Sequence, residues 1–208
     1  AKKATIIHVD IDPASISRNI VVDIPIVADA KNAITSLLER ISDYNFENWR
    51  KQIDSWKIKH PIHIADDMKS MVTPFAIIQE INHIFKNAVI TTDVGQNQLW
   101  TTQFLELTEQ KQLLTSGGLG TMGYGLPAAL GAKLGNPEKD VITICGDGGI
   151  QMNIQEMATA IVYELPIIIC ILNNGYLGNV RQWQEMFYKK RYSYTCLRYR
   201  KSCATFCN

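Results

Sequence analysis

The chain places one aspartate and one asparagine where a hard metal ion would want them. Gly146-Asp147-Gly148 closes the apolar run Val141-Ile142-Thr143-Ile144-Cys145, and Asn173-Asn174 closes a second run, Ile167 to Leu172. A helix-length stretch lies between them. Strand, helix and strand in that order put both polar groups at the carboxyl edge of a parallel sheet, where open α/β folds take up ligands. One carboxylate, one amide oxygen and nearby backbone carbonyls make an all-oxygen site. Such a site suits Mg²⁺ that shares its remaining positions with phosphate oxygens. The plain alternative is a pair of strand-to-helix turns in which Asp147 and Asn173 merely cap helices.

Two further strand ends carry unusual residues. Asp93 is followed by Gly95-Gln96-Asn97-Gln98, where a glycine allows close backbone approach and amides at a helix start can donate to phosphate. Thr115 is followed by Ser116-Gly117-Gly118-Leu119-Gly120-Thr121-Met122-Gly123-Tyr124-Gly125. Five glycines between residues 117 and 125 are costly unless backbone must lie against a ligand or another chain. Either segment alone could be a tight loop. Together, at neighbouring ends of one sheet, they outline a binding edge.

The elements that position these residues follow from periodicity. Residues 4–9 and 21–24 read as short strands, and Asp29 caps a helix running to about Ile41. Phe46, Trp49, Ile53 and Trp56 form the packing stripe of a second amphipathic helix over 45–59. The non-periodic segment from His60 to Val72 reads as a linker. Thr73-Pro74 then opens a helix to about Lys86, as an N-cap followed by proline at the first helical position. Strand 88–92, a helix, strand end 113–116, helix 123–135, strand 141–145, helix 151–163, strand 167–172 and helix 177–190 complete the pattern. Strands alternating with helices imply a mostly parallel sheet covered on both faces, an α/β fold. The expected domains are 1–42, a helix and linker over 43–72, and 73–208, with both chain ends reading as cut.

Composition excludes several classes. Of the 208 residues 46% are hydrophobic and 20% charged, and the formal net charge is +1, which suggests neither a nucleic-acid nor a membrane partner. No apolar stretch is long enough to span a bilayer, and no targeting segment is visible, so a cytoplasmic setting is expected. Among the five cysteines, Cys145 and Cys170 sit in apolar strands. Cys196, Cys203 and Cys207 cluster in a basic tail, where three thiols without a fourth ligand read as a loop of reduced cysteines rather than a metal site.

The Gly-Asp-Gly … Asn-Asn pair resembles the metal signature of thiamine-diphosphate (ThDP) enzymes. Thr115 to Ala129, Gly146 to Glu156 and Leu172 to Gln184, the last with Val180-Arg181-Gln182-Trp183-Gln184, are similar to the large catalytic subunits of the acetolactate synthase family. The resemblance implies a ThDP-binding fold, with Mg²⁺ held by Asp147, the Asn174 side chain and the Tyr176 carbonyl. It implies diphosphate contacts from Gly95, Gln96 and Asn97, where the family commonly has His at position 97. The Gly120 carbonyl would accept from the cofactor's exocyclic amine, Met122 would wedge its two rings into a V, and Gly148 and Gly149 would let the chain pass the phosphates. Asn179, Val180 and Trp183 would line the substrate pocket, Asn179 standing where the family usually has Met. Residues 1–42 are similar to the tail of the family's central domain, a Rossmann-like domain in which Asp10 and Asp29 approach FAD.

The implied reaction is decarboxylation of pyruvate and condensation with a second 2-keto acid, in a homodimer or tetramer, with a possible regulatory small subunit. The glutamate that activates the cofactor belongs in that family to an N-terminal domain not represented here. No residue of this chain is therefore assigned a catalytic role, and the isolated chain is expected to be silent. Another ThDP-dependent decarboxylase, oxidase or carboligase, and a non-catalytic diphosphate-binding module, are the alternatives.

Overall fold

The computed structural model describes residues 4–42, 45–61 and 72–197, and the chain divides into two compact units, Ala1–His63 and Ile64–Asn208. In the first unit β1 (Ile7–Asp10) pairs in parallel with β2 (Ile24–Val27). Asp29 caps α1 (Ala30–Leu38), its Oδ1 accepting from the Lys31 and Asn32 amides at 2.9 and 3.2 Å. That helix stops a turn short of Ile41. The second helix, α2 (Glu47–Lys59), buries no residue. Its expected packing stripe reduces to Trp49 and Trp56, edge to face at 5.6 Å and about half exposed. Most of the expected linker lies outside the described residues.

Among the described residues the second unit carries a four-stranded, all-parallel sheet. Its strands are β3 (Ala88–Thr92), β4 (Gln112–Thr115), β5 (Asp140–Gly146) and β6 (Ile168–Leu172), in the order β4-β3-β5-β6. The two central strands are sealed on both faces, as their near-continuous apolar runs require. Ala88, Ile90, Ile142 and Ile144 face α3 (Pro74–Ile84) and pack with Ile81, Phe85 and Trp100. On the other face Val89, Val141 and Cys145 meet α5 (Gly125–Gly135) through Leu126, Ala129 and Ala132. Thr73 caps α3 as its sequence predicts, Oγ1 accepting from the Ala76 amide at 3.2 Å. Beta6 is an edge strand among the described residues, with Ile168 and Ile171 each more than 40% exposed.

One boundary differs in a way that matters. The helix expected over 151–163 starts at Asp147, directly off β5, and breaks at Asn153. It is α6 (Asp147–Met152), one 3-10 turn over Ile154–Glu156, and α7 (Met157–Val162). Asn153 leaves helical geometry (φ −134°, ψ 32°) and donates through Nδ2 to the Gly123 carbonyl at 2.8 Å. A tertiary bond to the glycine-rich turn overrides the local helix preference.

Candidate cofactor cleft

Two helices start at the carboxyl edge with bare N-termini: α4 (Gln96–Phe104) after β3, and α6 after β5. Their N-caps are Gly95 and Gly146, and neither helix has a side-chain cap. Among the described residues no side chain caps their first N–H groups, which suits phosphate oxygens. Gly95 holds φ 139° and ψ −159°, a conformation that L side chains rarely adopt. Both ends open on one cleft. Its walls include Gly95, Gln96, Asn97, Gly120, Met122, Asp147, Gly148, Gly149, Asn174 and Tyr176, with Asn179 and Val180 beside them.

The three residues expected at a metal, Asp147, Asn174 and Tyr176, all line this cleft. Asp147 Oδ2 accepts from the Gly175 amide at 2.8 Å, which leaves Oδ1 without a hydrogen-bond partner among the described residues. Asn174 Oδ1 accepts from the Tyr176 amide at 2.9 Å. Its Nδ2 donates to Gln96 Oε1 at 3.2 Å, and Gln96 Nε2 donates in turn to Gln182 Oε1 at 3.1 Å, on α8 (Gly178–Phe187). This chain of amides fixes the orientation of the Asn174 side chain. The loop is pinned from outside as Leu197 and Leu177 amides and the Gly175 and Thr195 carbonyls pair at 2.9 and 2.8 Å. The Arg181 guanidinium lies over the rings of Tyr176 and Tyr192, 4.3 and 3.8 Å from their centres.

Not every named residue faces the cleft as its type suggested. Asn97 lines it but is buried, and its Nδ2 donates to the Asp93 and Ile144 carbonyls at 2.9 and 3.0 Å. Both amide hydrogens are therefore spent on backbone, and what Asn97 can offer a phosphate is its own N–H. Trp183 is absent from the cleft walls. It stands one turn beyond Val180 on the exposed side of α8, packed on Phe187 at 5.3 Å. In the first unit Asp29 is occupied as a cap, and Asp10 Oδ1 accepts from the Asp12 amide at 2.9 Å. Cys196 pairs with Tyr176 through an isolated antiparallel backbone β-bridge. Cys203 and Cys207 lie outside the described residues.

Residues 93–205 match the family described as the C-terminal TPP (thiamine pyrophosphate) binding domain of thiamine pyrophosphate enzymes. The chain belongs to the thiamine pyrophosphate enzymes. Within that family it is similar to acetolactate synthase large subunits. It is 43% identical over 91% of its length to the isozyme 3 large subunit of Escherichia coli, of which 34% is covered. It is 46% identical over 98% of its length to the large subunit of Buchnera aphidicola, 36% of it covered, and 45% over 93% to a probable large subunit of Methanocaldococcus jannaschii, 34% covered. The chain thus spans about a third of the length of the curated relatives it matches.

The cleft of this thiamine pyrophosphate enzyme fits its cofactor on its own geometry. A Cβ on Gly148 would stand 2.7 Å from Leu177 Cδ2, and one on Gly178 would overlap the Gln96 and Asn174 side chains. Glycine is needed at both positions because side chains of the cleft already fill the space a Cβ would take. Among the described residues no cluster of three His, Cys, Asp or Glu side chains occurs, so a cation here relies on one carboxylate and neutral oxygens. That donor set is hard and leaves room for diphosphate oxygens, which matches Mg²⁺ rather than zinc.

Sequence reasoning passed over one group. Asp93, at the end of β3, is fully buried, and its carboxylate accepts from the amides of Val94, Gly123 and Gly125 at 2.8 to 3.0 Å. A glycine-rich turn displays many unpaired amides. An acid at the end of a fully buried strand, on the same sheet edge as a glycine-rich turn, is the signal that would have found Asp93.

Proposed function

We propose that this chain is the diphosphate-binding part of an acetolactate synthase that uses ThDP and Mg²⁺ to join pyruvate to a second small 2-keto acid. The observation that carries this reading is the 43–46% identity to acetolactate synthase large subunits over more than nine tenths of the chain. When bound, ThDP supplies an electron sink for decarboxylation and carbon–carbon bond formation. The chain's own residues bind and orient. The first amides of α4 and α6 receive the diphosphate. Asp147 Oδ1, Asn174 Oδ1 and the Tyr176 carbonyl hold Mg²⁺. Met122 and the Gly120 carbonyl, on the same cleft, would meet the cofactor's rings, the carbonyl accepting from its exocyclic amine. Asn179 and Val180, at the start of α8, border the side from which the keto acids approach, while Trp183 lies one turn outside the cleft walls.

The proton transfer that activates the cofactor needs a carboxyl group from elsewhere in the protein, and the cleft contains no glutamate among its walls. In this reading the N-terminal domain of a second copy supplies it, and the whole enzyme works as a homodimer or a higher oligomer. A small regulatory subunit is a further partner in this reading, and residues 1–42 belong to a domain that carries FAD in the whole protein. The domain limits 1–42, 43–72 and 73–208 and a cytoplasmic setting complete it. Among the described residues no helix is long and apolar enough to cross a membrane.

The test is product analysis of the full-length protein with pyruvate, alone and with 2-ketobutyrate, in the presence of ThDP and Mg²⁺. Acetolactate and acetohydroxybutyrate are the expected products. Acetaldehyde or acetyl phosphate would assign the chain to another ThDP enzyme instead. ThDP-dependent turnover by the 208-residue chain alone would refute the claim that the activating group lies elsewhere.

A further inference from the structure

The stretch that presents Met122 and the Gly120 carbonyl to the cleft has little of its own to hold it. Residues 117–121 are exposed, Leu119 91% so. The Thr121 amide donates to Ser116 Oγ at 3.1 Å, and the Gly117 amide to the Thr115 carbonyl at 3.0 Å. Both bonds stay within the loop and leave its height over the cleft undecided. The first firmly anchored position is Gly123, which is buried and in the left-handed region at φ 88°.

Gly123 is gripped from two sides. Its N–H donates to both oxygens of Asp93, at 2.9 Å to Oδ2 and 3.1 Å to Oδ1. Its carbonyl accepts from Asn153 Nδ2 at 2.8 Å. Two residues on, the Gly125 N–H donates to Asp93 Oδ2 at 3.0 Å and its carbonyl accepts from Thr91 Oγ1 at 2.9 Å. No slack remains. A Cβ on Gly123 would lie 2.7 Å from Asn153 Nδ2, and one on Gly125 2.8 Å from the Asp93 nitrogen. Neither Asp93 nor Asn153 is part of the cleft wall. A buried, hydrogen-bonded acid that touches no ligand acts through what it holds.

We propose that Asp93 and Asn153 are positioning residues: by clamping Gly123 between the end of β3 and the end of α6 they set where Met122 stands beneath the cofactor's rings. The break in the helix at Asn153 is what frees that side chain to reach Gly123. Asp93 also keys to the cleft floor, because a Cβ on Gly149 would overlap its carboxylate, so β3, the turn and α6 move as one body. This inference rests on the reading of the cleft as the ThDP site.

The test uses the full-length protein and three substitutions: Asp93→Asn, Asn153→Ala and, as reference, Met122→Ala. Mg²⁺-dependent ThDP affinity is measured by titration. The fixed angle between the cofactor's rings is read from the near-ultraviolet circular-dichroism band that bound ThDP gains when they are held together. Asn153→Ala and Asp93→Asn are expected to keep affinity within about tenfold, because the diphosphate contacts are untouched. They should lose the band as Met122→Ala does, with kcat down about 100-fold and KM for the keto acid little changed. If Asp93→Asn does not fold, Asn153→Ala decides. A wild-type band in the folded variants, or affinity lost together with the band, overturns the positioning role. No ThDP binding by the unsubstituted protein overturns the cofactor reading and this proposal with it.

Discussion

Asp93 and Asp147 end adjacent strands at one edge of one sheet, yet their surroundings are opposite. Asp93 is sealed, faces no cation and is saturated by three backbone amides, with Gly149 leaving it just enough room. Asp147 is half-buried on the cleft wall, uses one oxygen on the Gly175 amide and keeps the other. A carboxylate whose acceptors are all taken is scaffold, while one with an acceptor to spare can ligate. What separates a structural acid from a metal ligand at a strand end is the supply of amides around it, not its position in the motif.

That contrast can be broken by substitution. Asp93→Ala strands the buried Gly123 and Gly125 N–H groups, each costing about 1–3 kcal/mol, so a loss of about 2–6 kcal/mol is expected in urea unfolding. A loss below about 1 kcal/mol would mean that water replaces the carboxylate and that the site is not sealed. Asp147→Ala should act the other way, lowering Mg²⁺-dependent ThDP affinity about 100-fold, or about 2.8 kcal/mol, with stability nearly unchanged. Calorimetric titration with and without EDTA reads both. Equal affinity in the variant would remove Asp147 from the metal site.

A third aspartate calibrates the pair. Asp29 caps an exposed helix in the first unit, so Asp29→Ala should cost about 1 kcal/mol there, seen as faster hydrogen exchange at the Ala33 amide. No change in that exchange would show the cap to be idle. The smallest effect concerns Cys145, which lies against Asp93. Burial pushes its thiol up to about 11, the Thr143 hydroxyl partly opposes this, and the Asp93 charge adds to it. A thiol held protonated in the folded state stabilises the fold fully below the unfolded value of about 8.5, and that part is lost as pH rises towards 11. Cys145→Ala should flatten the fall of stability over that alkaline window. An unchanged slope would place the thiol in an ordinary environment.

Much of the site was legible because strand ends repeat at a regular interval and their polar residues stand out against apolar runs. Gly95, Asp147 and Asn174 were found that way, and the structure gathers them around one cleft. The break at Asn153 was not legible, because residues 151–163 carry good helix formers and the competing partner, Gly123, is thirty residues away. The burial of Asn97 escaped for a similar reason. Its hydrogen-bond partners are carbonyls of two different strand ends, which no local pattern relates. Side chains that face a ligand announce themselves by type, whereas those that hold backbone in place are recognised only with their neighbours in view.

The edge strand β6 carries a consequence for handling the chain by itself. Ile168-Ile169-Cys170-Ile171-Leu172 has no charge, proline or bulge, and pairs on one side only among the described residues. Such a ribbon accepts another chain by backbone pairing as readily as it pairs with β5. Concentrated samples of the 208-residue chain would therefore adhere through these five residues before they unfold. One lysine at position 171, on the exposed side, is the simplest guard against it.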